Sequence, residues 1–140
     1  MFLTLVRYQT SLPQTRHVFP GKEVERVVAS WGRSRISKAS NGISFTVPFW
    51  GHRSWYFLAP IDQGRITMNS GPDGVVTIRM DLSMIRILVV AGVGSVVAGV
   101  LSQSLQTGSV AFLWLAGGNW LVTLYRARSR FNKVVECFQP

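Results

Sequence analysis

The side chains that most often carry out catalysis or bind metals are few in this 140-residue chain and lie far apart. Neither histidine, His17 or His52, has a second His, Cys or carboxylate at metal-ligand spacing, so each is expected to be an ordinary loop histidine. The single cysteine, Cys137, has no histidine near it, and the chain contains no Gly-x-Ser-x-Gly nucleophile motif. We therefore predict no metal site, no catalytic residue and no enzymatic activity.

The glycine-rich stretch "GVGSVVAG" (Gly92–Gly99) is the nearest approach to a phosphate-binding loop. It matches neither Gly-x-Gly-x-x-Gly nor the P-loop pattern, and it lies in an apolar segment. The segment Ile87–Tyr125 also contains no His or Cys, so it lacks the usual axial ligand for a haem or a chlorophyll-type pigment. We predict that the chain binds no cofactor.

The distribution of charge along the chain is more informative about function than these isolated residues. The chain has 15 Lys and Arg against six Asp and Glu, yet the 39 residues Ile87–Tyr125 carry no charge. This stretch contains two apolar runs, Ile87–Leu101 and Ser109–Tyr125, on either side of "SQSLQTG" (Ser102–Gly108). As helices they would measure roughly 22–26 Å, close to the ~30 Å hydrocarbon core of a bilayer.

These runs predict a two-helix transmembrane hairpin over residues 83–125, with residues 102–108 as its outer turn. The alternative is two buried strands or a central helical hairpin of a soluble protein, which is disfavoured because few other residues remain to wrap them. In lipid, helices are favoured over strands because an unpaired strand leaves its backbone amides without hydrogen-bond partners. Basic residues flank the hairpin and are absent from its turn, which predicts an integral protein of a bacterial inner membrane or its equivalent, with both termini cytoplasmic.

Residues 1–82 predict a basic α+β cytoplasmic domain, and residues 126–140 a basic cytoplasmic tail. The expected elements are a strand over Phe2–Tyr8, a helix over Pro20–Gly32 with apolar residues at i, i+3, i+4 and i+7, and two hairpins. One hairpin turns at "SNG" (Ser40–Gly42) and the other at "SGPDG" (Ser70–Gly74). The predicted fold class is thus a small α+β domain followed by a two-helix transmembrane hairpin.

Small residues recur on one face of the first apolar run. Ala91, Ser95 and Gly99 stand at i, i+4 and i+8, a spacing that lets another helix approach closely. The second run has Gly117, Gly118 and Asn119 near its middle, where a buried amide would need a partner. These six residues are the predicted helix-packing interface, serving either the hairpin itself or a separate subunit.

Basic side chains are the other candidate contact residues. They predict contacts with anionic lipid headgroups or with an acidic neighbouring subunit, and a nucleic-acid partner is less favoured. The residues are Arg33, Arg35, Lys38, Arg86, Arg126, Arg128 and Arg130.

The resulting functional hypothesis is a non-catalytic accessory subunit that stabilises a larger membrane protein complex. That this complex is a respiratory or photosynthetic one is suggested only by analogy with other small membrane subunits of similar architecture. One alternative is a free-standing membrane tether or sensor whose basic domain recruits a cytoplasmic partner or nucleic acid. A weaker one is an enzyme acting on lipid headgroups.

Overall fold

The structure is a computed structural model, and it describes residues 6–13, 18–32, 34–48 and 61–139. The described residues form five strands, four α-helices and one π-helical segment. In chain order these are β1 (Val6–Pro13), α1 (Gly21–Ala29), β2 (Arg35–Ala39), β3 (Gly42–Thr46), β4 (Gln63–Ser70), β5 (Val75–Ser83), α2 (Ile85–Ser102), α3 (Leu105–Phe112), the π segment (Leu113–Gly118) and α4 (Asn119–Glu136).

The five strands form one antiparallel sheet in the order β1-β5-β4-β3-β2. Two hairpins confirm the strong turn signals of the sequence: β2 pairs with β3, and β4 pairs with β5. The first strand pairs with the last, placing Val6 opposite Leu82. Since β5 is an interior strand, between β1 and β4, and leads directly into α2, the helix is attached to a strand that is paired on both sides.

One face of the sheet packs against helices. Along β5 the residues Val76, Ile78, Met80 and Leu82 alternate toward this face, and all four are buried. The α1 side chains Val24 and Val28 belong to the same apolar core, as do Ala127, Phe131 and Val134 of α4. The expected amphipathic helix is therefore confirmed, and the core lies between the sheet and these two helices.

The opposite face of β5 is polar. Its buried carboxylate Asp81 accepts a hydrogen bond from Nε of Arg7 at 2.7 Å and lies 2.8 Å from Nε of Arg79. A carboxylate taken out of water needs such partners. The two arginines offset its desolvation and join β1 to β5.

The helix α4 is fixed against β1 by aromatic contacts. The Tyr8 hydroxyl donates a 2.8 Å hydrogen bond to the Leu124 carbonyl, and the Tyr8 ring stacks on Phe131 with centroids 5.8 Å apart. Burial raises the pKa of the Tyr8 hydroxyl, an effect that the positive charge of Arg128 partly opposes. Tyr8 therefore anchors α4 to the sheet in its protonated form.

The predicted fold class is wrong. The chain has a five-stranded antiparallel sheet with helices, and within the described residues only α2 is long and apolar enough to cross a membrane. The second predicted membrane helix is divided among α3, the π segment and α4, and α4 continues into the charged residues as far as Glu136. Ala116, Trp120 and Leu124 of this segment are partly buried against the apolar core of the domain, a tertiary contact that hydropathy alone does not reveal.

The boundaries near the chain reversal also differ from expectation. The turn comprises Gln103 and Ser104 only, with Gln103 in the left-handed conformation (φ 51°) and Ser104 accepting a hydrogen bond from the Thr107 amide. Gly108 lies within α3 and not at the reversal. Residues 126–136, expected to form a tail, are the second half of α4.

Candidate membrane-anchoring site

The helix α2 leaves most of its apolar surface uncovered. Two of its 18 residues, Ile87 and Ala91, are buried. Together with the segment Leu105–Val122 beside it, α2 forms what we call the apolar arm. The large exposed apolar side chains of the arm are Ile85, Leu88, Val89, Val90, Val93, Val96, Val97, Val100, Leu101, Leu105, Val110, Leu113, Trp114, Leu115, Leu121 and Val122. Such a surface far exceeds the scattered apolar residues of ordinary soluble proteins and is typical of a lipid or protein contact.

Arg86 and Asp62 join the start of α2 to the sheet. The Arg86 amide donates to Oδ2 of Asp62 at 2.9 Å, which satisfies one of the free amides at the helix N-terminus. The Arg86 guanidinium lies 3.2 Å from Oδ1 of the same carboxylate and donates to the Val47 carbonyl at 2.8 Å. The direction in which α2 leaves the domain is therefore set by an ion pair and by backbone hydrogen bonds.

The small residues of α2 face their own chain. Ala91 is 1% exposed. A Cβ on Gly108 would lie 2.9 Å from the Ser95 carbonyl and 3.3 Å from the Gly99 Cα. The predicted stripe Ala91, Ser95 and Gly99 thus lies along the contact with the returning chain, where Gly99 and Gly108 allow the two backbones to approach.

The other three predicted interface residues lie outside that contact. A Cβ on Gly117 or Gly118 would meet no atom within 4 Å. Asn119 is exposed within the chain, and its Nδ2 donates to the Leu115 carbonyl of its own helix at 2.7 Å. The helical hydrogen bonds here run from i to i+5. Asn119 therefore finds its partner locally and needs no neighbouring helix.

An open groove of about 700 Å³ runs between α2 and α3. Its lining is mostly aliphatic and small, and it includes Gly99 and Gly108. None of its lining residues is charged or is a His or Cys. The groove therefore supplies shape and apolar surface, and its serines Ser95, Ser104 and Ser109 have no His, Lys or carboxylate among the lining residues to act as a base.

The seven predicted basic contact residues differ in their surroundings. Arg33 lies outside the described residues. Lys38 pairs with Glu25, and the Arg86 side chain is 13% exposed in its pair with Asp62. Arg130 is half-buried, whereas Arg35, Arg126 and Arg128 are exposed. The sequence alone could not separate basic residues that hold the fold together from those that face outward.

Catalytic geometry is not found in the described part of the chain. No group of three or more His, Cys, Asp or Glu residues is placed to hold a metal there. His17 and His52 fall outside the described residues. The Cys137 thiol donates to the Lys133 carbonyl in its own helix at 3.5 Å.

Comparison with known proteins adds no assignment. No protein-family model, curated protein or solved structure matches this chain.

The sequence analysis does not predict Asp62, the residue that orients α2. Asp62 stands 24 positions from Arg86, so no local pattern could have paired them. The functional argument therefore depends on the geometry of the arm and of its attachment to the sheet.

Proposed function

We propose that this chain is a non-catalytic membrane tether, in which the helix α2 inserts into a bilayer and holds the sheet domain at the membrane surface. The observation that carries the proposal is the exposure of α2: a helix buried in a soluble core would be covered, and this one is covered at two residues only. Its 18 residues measure about 27 Å, close to the ~30 Å hydrocarbon core.

The attachment of the arm supports a tethering role. The chain passes from β5 into α2 with one intervening residue, Met84, and this residue is buried. The pair between Arg86 and Asp62 adds a side-chain connection at the same point. A domain joined in this way is held close to the membrane and in one orientation, because no flexible linker separates it from the helix.

The orientation we propose places the domain on the cytoplasmic side and Gln103–Ser104 on the far side. Its support is the absence of Lys and Arg between Ile87 and Tyr125, together with their abundance on both flanks. The non-catalytic part is supported by three of the six acidic side chains, Glu25, Asp62 and Asp81, each of which forms an ion pair with Lys or Arg.

The accessory-subunit hypothesis stays a second candidate. Its main physical argument was a free stripe of small residues for a partner helix. In the structure Ser95 and Gly99 of that stripe lie against Gly108 of the chain's own α3. What still favours it is the exposed apolar groove between α2 and α3, which a helix of another subunit could cover.

Membrane extraction tests the anchoring directly. The full chain should remain in the membrane after washing with alkaline carbonate, because insertion depends on apolar surface and not on charge. Release into the supernatant would reject the anchor.

Cysteine labelling tests the orientation. In a Cys137→Ser background, a membrane-impermeant reagent should label Gln106→Cys in intact cells, and Lys22→Cys on α1 only after the membrane is broken. The opposite pattern would reverse the proposed orientation.

Purification in mild detergent separates the two functional candidates. A stoichiometric integral membrane protein that remains bound would favour the accessory subunit. A stoichiometric partner that is removed from the membrane by salt would favour the tether, because salt weakens contacts between exposed charges.

A further inference from the structure

The height at which the apolar arm joins the sheet domain can be located on both α2 and the returning chain. A Cβ on Gly94 of α2 would lie 3.1 Å from Cδ1 of Leu115, so these residues stand beside each other. Nine residues back along α2 is Ile85, and nine residues forward along the returning chain is Leu124. Each is about 14 Å from the contact at 1.5 Å per residue. Both helices therefore leave the domain at one level.

Hydrogen bonds between the sheet domain and these two helices independently place the junction at the same height. Leu124 accepts the 2.8 Å hydrogen bond from the Tyr8 hydroxyl, so its backbone belongs to the domain. Ile85 directly precedes Arg86, whose amide bonds to Asp62. If α2 lies in lipid, as proposed above, the boundary between water and lipid passes near Ile85, and Leu124 on the returning chain lies at the same level.

The surface of α4 changes character at this level. On the side of the arm, Leu121 is 68% exposed and Val122 is 50% exposed. Tyr125 follows at 82% exposed, and then come the exposed Arg126 and Arg128. Tyrosine is enriched where a helix crosses the headgroup region, because its ring is apolar and its hydroxyl is polar.

Arg126 and Arg128 also differ from the other arginines at the base of the arm. Arg7, Arg79 and Arg86 are each paired with Asp81 or Asp62. Within the described residues, no carboxylate forms an ion pair with Arg126 or Arg128. Guanidinium groups bind phosphate through two parallel hydrogen bonds, so arginines in this position suit a phosphate ligand.

We infer that Tyr125, Arg126 and Arg128 contact the phosphate groups of anionic phospholipids that surround α4 at the base of the arm. The inference rests on the proposed membrane anchoring and assigns a specific lipid chemistry to it. Arg86, which the sequence placed in the same group, has a different role: its side chain pairs with Asp62 and donates to the Val47 carbonyl, and it thereby orients α2.

A nucleic acid would also contact exposed arginines, but the position of these residues favours lipid. They follow directly on the exposed apolar residues Leu121 and Val122, so a bilayer that surrounds the arm brings its headgroups to them. A nucleic acid would have to approach at the same level and compete with those headgroups. The aromatic side chain present, Tyr125, suits either partner and decides nothing by itself.

The test measures lipid preference in the full-length protein. Detergent-solubilised protein is titrated with phosphatidylglycerol or phosphatidylcholine, and bound lipids are counted by native mass spectrometry. The wild type should prefer phosphatidylglycerol. The double variant Arg126→Gln/Arg128→Gln should lose that preference by about tenfold or more, since each basic residue near an anionic surface contributes about 1 kcal/mol.

The matched control is Lys22→Gln/Arg26→Gln on α1, which removes the same charge from exposed positions of the domain. Glu23, next to Lys22, lines one open pocket with Glu136, at the end of α4 away from the arm. The control should keep the wild-type preference. Equal loss in both double variants, or no loss in Arg126→Gln/Arg128→Gln, would overturn the inference.

Three further outcomes keep the proposals apart. If all variants resist carbonate extraction but none prefers phosphatidylglycerol, the lipid site is wrong and the tether stands. If the wild type is itself released by carbonate, the proposed function fails first. A single-stranded oligonucleotide at equal phosphate concentration should not displace phosphatidylglycerol, and displacement would assign the surface to nucleic acid instead.

Discussion

The sheet domain and the apolar arm are built from similar aliphatic side chains but bury them in different ways. In the domain, Ile43, Ile66 and Ile78 are each at most 1% exposed between the sheet and its helices. In the arm, Val93, Val96 and Val100 are each more than 60% exposed. The domain thus carries its own apolar environment, whereas the arm needs one from outside, and a substitution should have different effects in the two regions.

The largest expected effect is in the domain core, and tryptophan gives a matched pair. Trp31 is 1% exposed and packs edge-to-face on Phe45 with centroids 5.9 Å apart, whereas Trp114 on the arm is 80% exposed. Trp31→Ala should lower the free energy of unfolding by about 3–5 kcal/mol because it leaves a cavity. Trp114→Ala should change it by less than about 0.5 kcal/mol.

Chemical denaturation of the full chain in detergent, followed by circular dichroism, measures both tryptophan variants. Equal destabilisation would show that Trp114 is packed as tightly as Trp31, and the distinction between the two regions would fail.

A charge in the arm should have the next largest effect, and on insertion instead of on folding. Val93 lies near the middle of α2 and is 62% exposed. Val93→Asp should oppose insertion by about 2.5–3.5 kcal/mol, the cost of an aspartate at the centre of a membrane helix. Val93→Leu is the control and should insert like the wild type.

The fraction of protein left in the membrane after carbonate extraction measures this effect. Circular dichroism of the sheet should be the same for the two Val93 variants. Full retention of Val93→Asp would mean that this face of α2 does not meet lipid.

The two regions also differ in how well the sequence predicts them. The hairpins were predictable because "SNG" and "SGPDG" act locally, and they form as β2–β3 and β4–β5. The helix α1 was predictable from its periodicity, since Val24, Val28 and Trp31 are all buried. The pairing of β1 with β5 was not, because Val6 and Leu82 are 76 positions apart and share no local signal.

The error over the second apolar segment has a physical cause. Thr123, Ala127, Phe131 and Val134 form a buried stripe at helical spacing, and this stripe runs across the presumed boundary between membrane helix and tail. By sequence position the arginines between them follow the apolar run like a membrane flank, although they occupy the outer side of one amphipathic helix. The candidate site was predictable only in part: the stripe of α2 could be located, but not its occupation by α3.

A smaller effect tests how α2 and α3 are held together. A side chain at Gly108 would collide with backbone atoms of Ser95 and Gly99, whereas one at Gly117 would meet open space. Gly108→Leu should therefore destabilise the arm by about 1–3 kcal/mol through overpacking, and Gly117→Leu should leave the pairing intact.

Disulfide cross-linking between Val96→Cys and Ser109→Cys, in a Cys137→Ser background, reports whether the two helices remain adjacent, since both residues line the groove between them. The cross-link should weaken in Gly108→Leu and persist in Gly117→Leu. An equally efficient cross-link in both would mean that close approach at Gly108 is not what holds the arm together.

The smallest effect concerns the joint between the two regions, where Tyr8 bonds to Leu124. Tyr8→Phe removes this hydrogen bond and keeps the stacking on Phe131, so it should lower the free energy of unfolding by about 1 kcal/mol at neutral pH.

Because burial raises the pKa of Tyr8 in the folded protein, the folded state holds the phenolic proton more tightly than the unfolded state. The contribution of Tyr8 is then fully present below the unfolded pKa of about 10 and is lost as pH rises through the folded value. The difference in free energy of unfolding between wild type and Tyr8→Phe should therefore shrink above about pH 10. Denaturation curves of both proteins from neutral to alkaline pH measure it. A difference that stays constant over this range would show that the hydroxyl is not buried against Leu124, and that α4 meets the sheet through apolar contacts alone.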